Sequence, residues 1–139
     1  MTGEDLAAAA LDLVGTKFRL HGRDPASGLD CIGVLAAALA SCGRPARLPN
    51  GYALRNRILP ELGAFIAGCG LVPAKGECAP GDIFLVLAGP GQFHLLVAAE
   101  NRQFVHAHAG LRRVVRCDTR PDWPIIGHWR LATQAIEEQ

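Results

Sequence analysis

The chain has 139 residues, half of them hydrophobic, and its 14 basic and 13 acidic side chains leave a formal net charge of +1. This length and hydrophobicity predict one domain with a single hydrophobic core over residues 1–139 and exclude a disordered chain. The balanced charge gives no electrostatic reason to expect nucleic acid or an anionic membrane as a partner.

The N-terminal residues contain no recognisable targeting signal. Glu4 and Asp5 lie where a signal peptide has lysine or arginine, and Asp12 interrupts the apolar run that follows. Neither a secretory signal nor a membrane span is predicted. We therefore expect synthesis in the cytoplasm, and any target outside it requires another means of delivery.

The first half of the chain is predicted to be helical. Residues 4–14 have leucine and valine at helical spacing, with alanine filling most of the other positions. After the loop HGRDPASG, a second helix is predicted from Asp30 or Cys31 to about Cys42, where glycine and proline end it. A third helical stretch is predicted in residues 60–70 and ends at a pair of glycines.

The second half of the chain consists of short β-rich runs that follow the APGD turn. These runs are IFLVLAG, FHLLVAAE, QFVHAHAG, LRRVVRC and IIGHWRL, separated mostly by short turn sequences. Helices followed by consecutive strands predict an α+β domain, with N-terminal helices packed on an antiparallel sheet of five or six strands.

Cysteine chemistry is the first functional question that the sequence raises. The five cysteines are odd in number and form no C-x-x-C pair. They cannot make a complete disulfide framework, and a structural zinc ribbon is not expected, so we interpret them as reduced thiols.

Cys31 lies at the first turn of the second predicted helix. A thiol reacts as its thiolate, and only a small fraction of a free thiol is ionised at neutral pH. Unpaired N–H groups at a helix N-terminus favour the anion by about 0.3–1 kcal/mol, and a nearby imidazolium favours it further. The position predicts an activated nucleophile, and the alternative is an inert buried cysteine.

Two neighbouring predicted strands supply histidines that could serve Cys31. His94 lies in FHLLV, and His106 and His108 share one face of the next run because strand side chains alternate. A histidine on the neighbouring strand can hold the second ring nitrogen of His94 and fix its tautomer. Cys31, His94 and His106 are a candidate nucleophile, base and orienting residue, with His108 as the other choice for the third role. The three histidines could instead bind zinc, although no carboxylate or close cysteine completes that set.

The runs HGRDPASGLDCIGVLAAAL, PGDIFLV, FHLLVA, FVHA and IIGHWRL together resemble the NlpC-type cell-wall peptidases, which have a papain-like fold. The resemblance spans roughly residues 5–131 and is closest to stand-alone versions found in tailed phages and gene transfer agents. It implies that Cys31 is the nucleophile, His94 the general base and His106 the third, orienting residue.

The same resemblance implies roles for residues around the nucleophile. Asp30 matches an acidic residue associated with recognising a free amine of the substrate, and it also suits a helix N-cap. Gly33 matches a glycine that permits close approach near the cysteine. Phe18 and His21 occupy the region where the family often has an aromatic hydroxyl, and they are candidates for binding substrate. Ile32 replaces a residue that is usually small or hydroxylated, and its larger apolar side chain is expected to narrow or dry the substrate groove.

The implied function is hydrolysis of an amide in the peptide stem of peptidoglycan, typically the γ-D-glutamyl to diaminopimelate bond. It would proceed by acyl transfer through Cys31, with no metal or organic cofactor. A phage-like particle would carry the enzyme to the periplasm and cell wall of the next cell, so a tail hub or baseplate protein is the expected partner. Residues 54–68 are one candidate docking surface, and core packing is the other explanation of their apolar character.

Two alternatives keep the same fold. One is a non-catalytic structural module of a tail hub. The other is a thiol acyltransferase or amidase that acts on a different substrate.

Overall fold

A computed structural model of the chain describes residues 1–44, 65–89, 92–118 and 122–132. Within these ranges the helices are α1 (Gly3–Leu11) and α2 (Cys31–Ser41), with residues 65–68 also helical. The strands are β1 (Arg23–Asp24), β2 (Gly28–Leu29), β3 (Leu71–Pro73), β4 (Ile83–Gly89), β5 (Gln92–Ala98), β6 (Phe104–His108), β7 (Arg113–Cys117) and β8 (Ile125–Leu131). The predicted third helix before residue 65, and the candidate docking surface over residues 54–64, lie outside the described ranges.

The main sheet has six strands in the order β3-β8-β4-β5-β6-β7, and every adjacent pair is antiparallel. The predicted α+β class and antiparallel sheet are confirmed, and β4 and β8 have the predicted bounds. Two features were missed. The loop after α1 contains a two-stranded hairpin of β1 and β2, and the three-residue strand β3, which ends in proline, pairs with β8.

Helix α1 begins with a capping box. The Thr2 hydroxyl accepts the N–H of Asp5 at 3.1 Å, and the Asp5 carboxylate accepts the N–H of Thr2 at 2.9 Å. These hydrogen bonds lower the pKa of Asp5. The helix ends at Leu11 rather than residue 14, because the backbone then passes through tight turns to Gly15, where φ is +93°.

Helix α2 is buried along most of its length, since α1 covers one side and strands β5 and β6 contact another. Large apolar side chains from the helices and from one face of the sheet form a continuous core, including Leu6, Ile32, Leu35, Leu39, Leu95, Val97 and Val105. The opposite face of the sheet carries a smaller cluster of Phe84, Val86, Leu96, Ala98 and Phe104, against which Trp123 packs. The alternation along β5 thus divides its side chains between two apolar layers.

Asp82, at the start of β4, is fully buried and carries the polar interactions of this end of the sheet. Its carboxylate contacts His128 Nε2 at 2.6 Å and Arg130 at 2.9 and 3.0 Å, and it accepts the N–H of Ala79 at 3.0 Å. Two residues of β8 are thereby joined to the turn before β4. Burial of an aspartate is tolerated here because cationic and N–H donors surround both oxygens.

In the part of the chain that the structure describes, no helix combines the length and the apolar character needed to cross a membrane.

Candidate active site

The N-terminus of α2 is built on Asp30, which is completely buried. One carboxylate oxygen accepts the N–H of Gly33 at 2.8 Å, as an N-cap does, and the other accepts the N–H of His21 at 2.8 Å. His21 has φ of +61°, in the left-handed region. A single carboxylate therefore holds both the helix start and the loop in front of it, and the predicted N-cap role of Asp30 is confirmed.

Gly33 allows the close approach that the motif predicts. A Cβ atom at this position would overlap the carbonyl oxygen of Gly22 in the preceding loop. Gly22 is similarly constrained, because a Cβ there would overlap the carbonyl of Gly28. The backbone of the loop at Gly22 is therefore in direct contact with the hairpin at Gly28 and with the first turn of α2 at Gly33, and no side chain fits between them.

Cys31 follows this cap and is only 2% exposed. Burial raises the pKa of its thiol to about 12, and the adjacent Asp30 carboxylate adds to the rise. The backbone N–H groups of Leu95, Ile32 and Cys31 lower the pKa, but they do not compensate. The expectation of an activated thiolate is wrong for this state of the protein, because desolvation outweighs the helix N-terminus.

His94 and His106 lie next to each other on β5 and β6. Nε2 of His94 is 3.1 Å from Nδ1 of His106, and the two rings meet edge to face with centroids 5.2 Å apart. The ring of Trp123 packs at right angles to both, with centroid distances of 5.9 Å to His94 and 6.0 Å to His106. The predicted contact of His106 with His94 is present, and the orienting role of His106 stays a prediction.

The thiol and the imidazole belong to different faces of the sheet. Cys31 is part of the core beneath α2, whereas the ring of His94 packs with Trp123 on the other face. They are linked through the backbone of β5, since the Leu95 N–H that faces the thiol belongs to the residue after His94. Among the hydrogen bonds of the described residues, none joins Cys31 to His94.

Both histidines are held neutral at physiological pH. Burial, followed by repulsion from His106, lowers the pKa of His94 to about 4. Burial, followed by repulsion from His108, lowers the pKa of His106 to about 4. The Ala107 carbonyl faces both rings and opposes these shifts. In the resting state, both the thiol and the imidazole pair are thus neutral.

The depressed pKa of His94 makes protein stability depend on pH. His94 takes up a proton near pH 6.5 in the unfolded chain but only near pH 4 in the folded protein. Protonation therefore favours the unfolded chain below pH 6.5, and the folded protein keeps its full stability above that pH. We expect the free energy of unfolding to fall by about 3 kcal/mol from this residue as pH drops from 6.5 to 4. Urea unfolding of wild type and His94→Gln across this range measures the effect, and the variant should lose part of the slope. His21→Gln, at an exposed position, is the matched control, and equal slopes in wild type and His94→Gln would contradict the prediction.

Comparison with known proteins places this geometry in a fold family. No protein-family model and no curated protein matches the chain. Among solved structures, NlpC2 from Trichomonas vaginalis has a TM-score of 0.65 at 19% identity, covering 94% of this chain and 46% of that one. The NlpC/p60 domain of the peptidoglycan hydrolase SagA has a TM-score of 0.56 at 26% identity, covering 84% and 89%. The peptidoglycan hydrolase RipB from Mycobacterium tuberculosis has a TM-score of 0.57 at 20% identity, covering 94% and 64%.

The chain has the NlpC/P60 fold. This confirms the fold that the sequence resemblance implied, with N-terminal helices on a six-stranded antiparallel sheet. The chain spans less than half the length of the Trichomonas vaginalis protein and most of the SagA domain.

A groove of about 320 Å3 opens beside His94 in this NlpC/P60 fold. It is lined by Phe18, Leu20, Ala88, Gln92, Phe93, His94 and Ala109. Phe18, predicted to bind substrate, thus lies with the predicted base in one groove. His21 is exposed but is not among the described lining residues. Cys31 lies in the core and does not line the groove in this state.

The remaining histidine of β6 takes a different role. Nδ1 of His108 accepts the N–H of Leu111 at 3.0 Å in the β6–β7 turn. His108 does not take the bond to His94, which goes to His106. Within the described ranges, no group of three or more histidine, cysteine or acidic residues is arranged to hold a metal ion, so the zinc alternative has no support there.

Two residues of the site were missed from the sequence. Trp123 lies in a segment without strand periodicity, so nothing in the pattern indicated its contact with the histidines. Cys117 lies 3.3 Å from Nε2 of His106. A pairing of β6 with β7 across the short turn would have revealed it, because Phe104 pairs with Cys117 and so brings the cysteine diagonal to His106.

Proposed function

We propose that this protein is a peptidoglycan hydrolase that cleaves an amide bond of the peptide stem through Cys31. The single observation that carries the proposal is the hydrogen bond between His94 on β5 and His106 on β6 in an NlpC/P60 fold, one residue from the Leu95 N–H that faces Cys31. Two of the similar structures, SagA and RipB, are peptidoglycan hydrolases, which supports this substrate class.

The reaction starts from a neutral thiol and a neutral imidazole. As the Cys31 sulfur attacks the amide carbonyl, its proton passes to the free nitrogen of His94, so no isolated thiolate forms in the buried site. The backbone N–H of Cys31, at the helix start, is a candidate donor to the developing oxyanion. His94 then protonates the leaving amine, and water hydrolyses the thioester with His94 as base. Substrate binding in the groove must bring sulfur and imidazole into contact, because they share no hydrogen bond in the described residues.

The proposed bond is the one between γ-D-glutamate and diaminopimelate. The groove beside His94 is mostly apolar, with Phe18, Leu20 and Phe93 in its wall, and suits the aliphatic parts of a stem peptide. Recognition of the substrate's free amine by Asp30 stays a prediction, since both of its oxygens accept backbone N–H groups and the residue is buried.

Delivery by a phage-like tail completes the proposal, and its support is the sequence resemblance alone. The enzyme would be made in the cytoplasm, bind a tail hub or baseplate protein, and act on the periplasmic wall of the next cell. Immunogold labelling of purified particles tests this role: label at the tail tip supports it, and label absent from intact particles contradicts it.

The catalytic proposal is tested by incubating the reduced protein with defined stem peptides and weighing the products by mass spectrometry. We expect two fragments whose summed mass exceeds the mass of the substrate by one water. One carries a new carboxyl on D-glutamate and the other a new amine on diaminopimelate. Transfer of the acyl group to an added amine without hydrolysis would favour an acyltransferase instead. An intact substrate would favour the non-catalytic tail module.

A further inference from the structure

Three side chains form a continuous hydrogen-bonded row, which we call the imidazole chain (His94, His106 and Cys117). Nε2 of His94 is 3.1 Å from Nδ1 of His106, and Nε2 of His106 is 3.3 Å from Sγ of Cys117. Cys117 ends β7, one of the two edge strands of the sheet, and is partly exposed, whereas His106 is 2% exposed. The imidazole chain thus extends from the proposed base to a thiol at the sheet edge.

The protons of this chain have only two consistent arrangements, because a neutral imidazole has one N–H donor and one acceptor nitrogen. If Cys117 accepts from Nε2–H of His106, then Nδ1 of His106 accepts from Nε2–H of His94. Nδ1 of His94 is then bare and can take a proton. If the thiol of Cys117 donates instead, every bond reverses and Nδ1 of His94 already carries a proton.

The first arrangement is favoured by the partners that each group has. Imidazole N–H is a stronger donor than S–H, and the S–H of a partly exposed thiol can point to solvent. His106 is buried, its Nε2 lies 3.3 Å from the sulfur of Cys117, and the Ala107 carbonyl also faces its ring. A buried N–H is rarely left without a partner.

We propose that Cys117 is a positioning residue, whose sulfur accepts from His106 and thereby keeps Nδ1 of His94 free to act as the base. This inference rests on the proposed function, because it assigns a proton acceptor for Cys31. When the thiol proton moves to Nδ1, His94 carries N–H at both nitrogens, and Nδ1 of His106 faces the new cation as an acceptor. No other reactant is required for this step.

The test is the nitrogen NMR spectrum of the histidine rings in the 139-residue protein, without substrate, at neutral pH. In wild type we expect His94 and His106 both as the Nε2–H tautomer. In Cys117→Ala, His106 should become a mixture of tautomers, and kcat for stem-peptide cleavage should fall by about tenfold, the effect of one neutral hydrogen bond. Cys117→Ser should restore the tautomers and most of kcat, since a hydroxyl oxygen also accepts.

Cys42→Ser is the matched control, because Cys42 caps the far end of α2, about 16 Å from Cys31 by helix rise. Nδ1–H on His94 in wild type, or unchanged tautomers in Cys117→Ala, would overturn the inference. If Cys117→Ala does not fold, Cys117→Val takes its place, because valine fills the site without offering an acceptor: a mixture of tautomers supports the inference, and unchanged tautomers overturn it. The spectrum requires no catalysis, so a failure of the proposed function is seen separately, as an uncleaved substrate.

Discussion

Replacement of Cys31 by alanine should abolish cleavage of stem peptides, with a loss of at least about 10^4-fold in kcat, because no other group can form the thioester. The fold should persist. Alanine removes only one buried sulfur from a core that retains the Asp30 cap and the apolar contacts of α2. Mass spectrometry of the released fragments measures activity, and circular dichroism confirms the fold.

The matched control is Cys69→Ala, which also removes a buried cysteine sulfur, at 4% exposure, from a position outside the site. It should retain full activity, so a loss in both variants would indicate damage to the core rather than to the chemistry. His94→Ala should be nearly as inactive as Cys31→Ala. His106→Ala should lose less, because an orienting residue is partly replaceable. Activity retained by Cys31→Ala would refute the mechanism.

Replacement of Asp82 by asparagine should lower the free energy of unfolding more than any other substitution of a polar residue proposed for this protein. The side chain is fully buried and holds Arg130 through two hydrogen bonds, with His128 Nε2 at 2.6 Å. Removing its charge removes the carboxylate that pairs with Arg130, whose side chain is only 16% exposed. Breaking a buried pair in this way typically costs about 3–5 kcal/mol, which is a large part of the stability of a small domain.

Urea unfolding at pH 7 measures this loss as a shift of the midpoint. Asp12→Asn provides the control, because it makes the same chemical change at an exposed position after α1. Its midpoint should stay close to that of wild type. A loss below about 1 kcal/mol in Asp82→Asn would mean that the buried carboxylate contributes little net stability, as can happen when desolvation cancels attraction.

The sequence predicted most of the elements because their patterns are local. The apolar run of α2 with Asp30 before it, and the strand runs of β4 and β8, have the bounds that capping and alternation indicate. One histidine on the β5 run and two on the β6 run likewise predicted that His94 lies beside a histidine of the next strand. These features depend on residues close in the chain or on neighbouring strands.

What the sequence could not show depends on burial and on long-range pairing. The raised pKa of Cys31 reflects its burial in the core, and helix position alone predicts the opposite direction. The contacts of Asp82 with two β8 residues span almost fifty positions of the chain. Cys117 entered the site only through the register of β6 with β7. Each of these results required the three-dimensional arrangement.

The double attachment of the Asp30 carboxylate limits how this protein could be redesigned for other substrates. The bonds to Gly33 and His21, with the glycine contacts behind them, leave that stretch of backbone no freedom to be lengthened or diversified. The tip at residues 23–27 is exposed, and Asp24 there is hydrogen-bonded to Ala26 and Ser27 within the tip. A library that seeks new specificity should therefore vary that tip and the groove positions at 18 and 20, and leave residues 21, 22, 30 and 33 as they are.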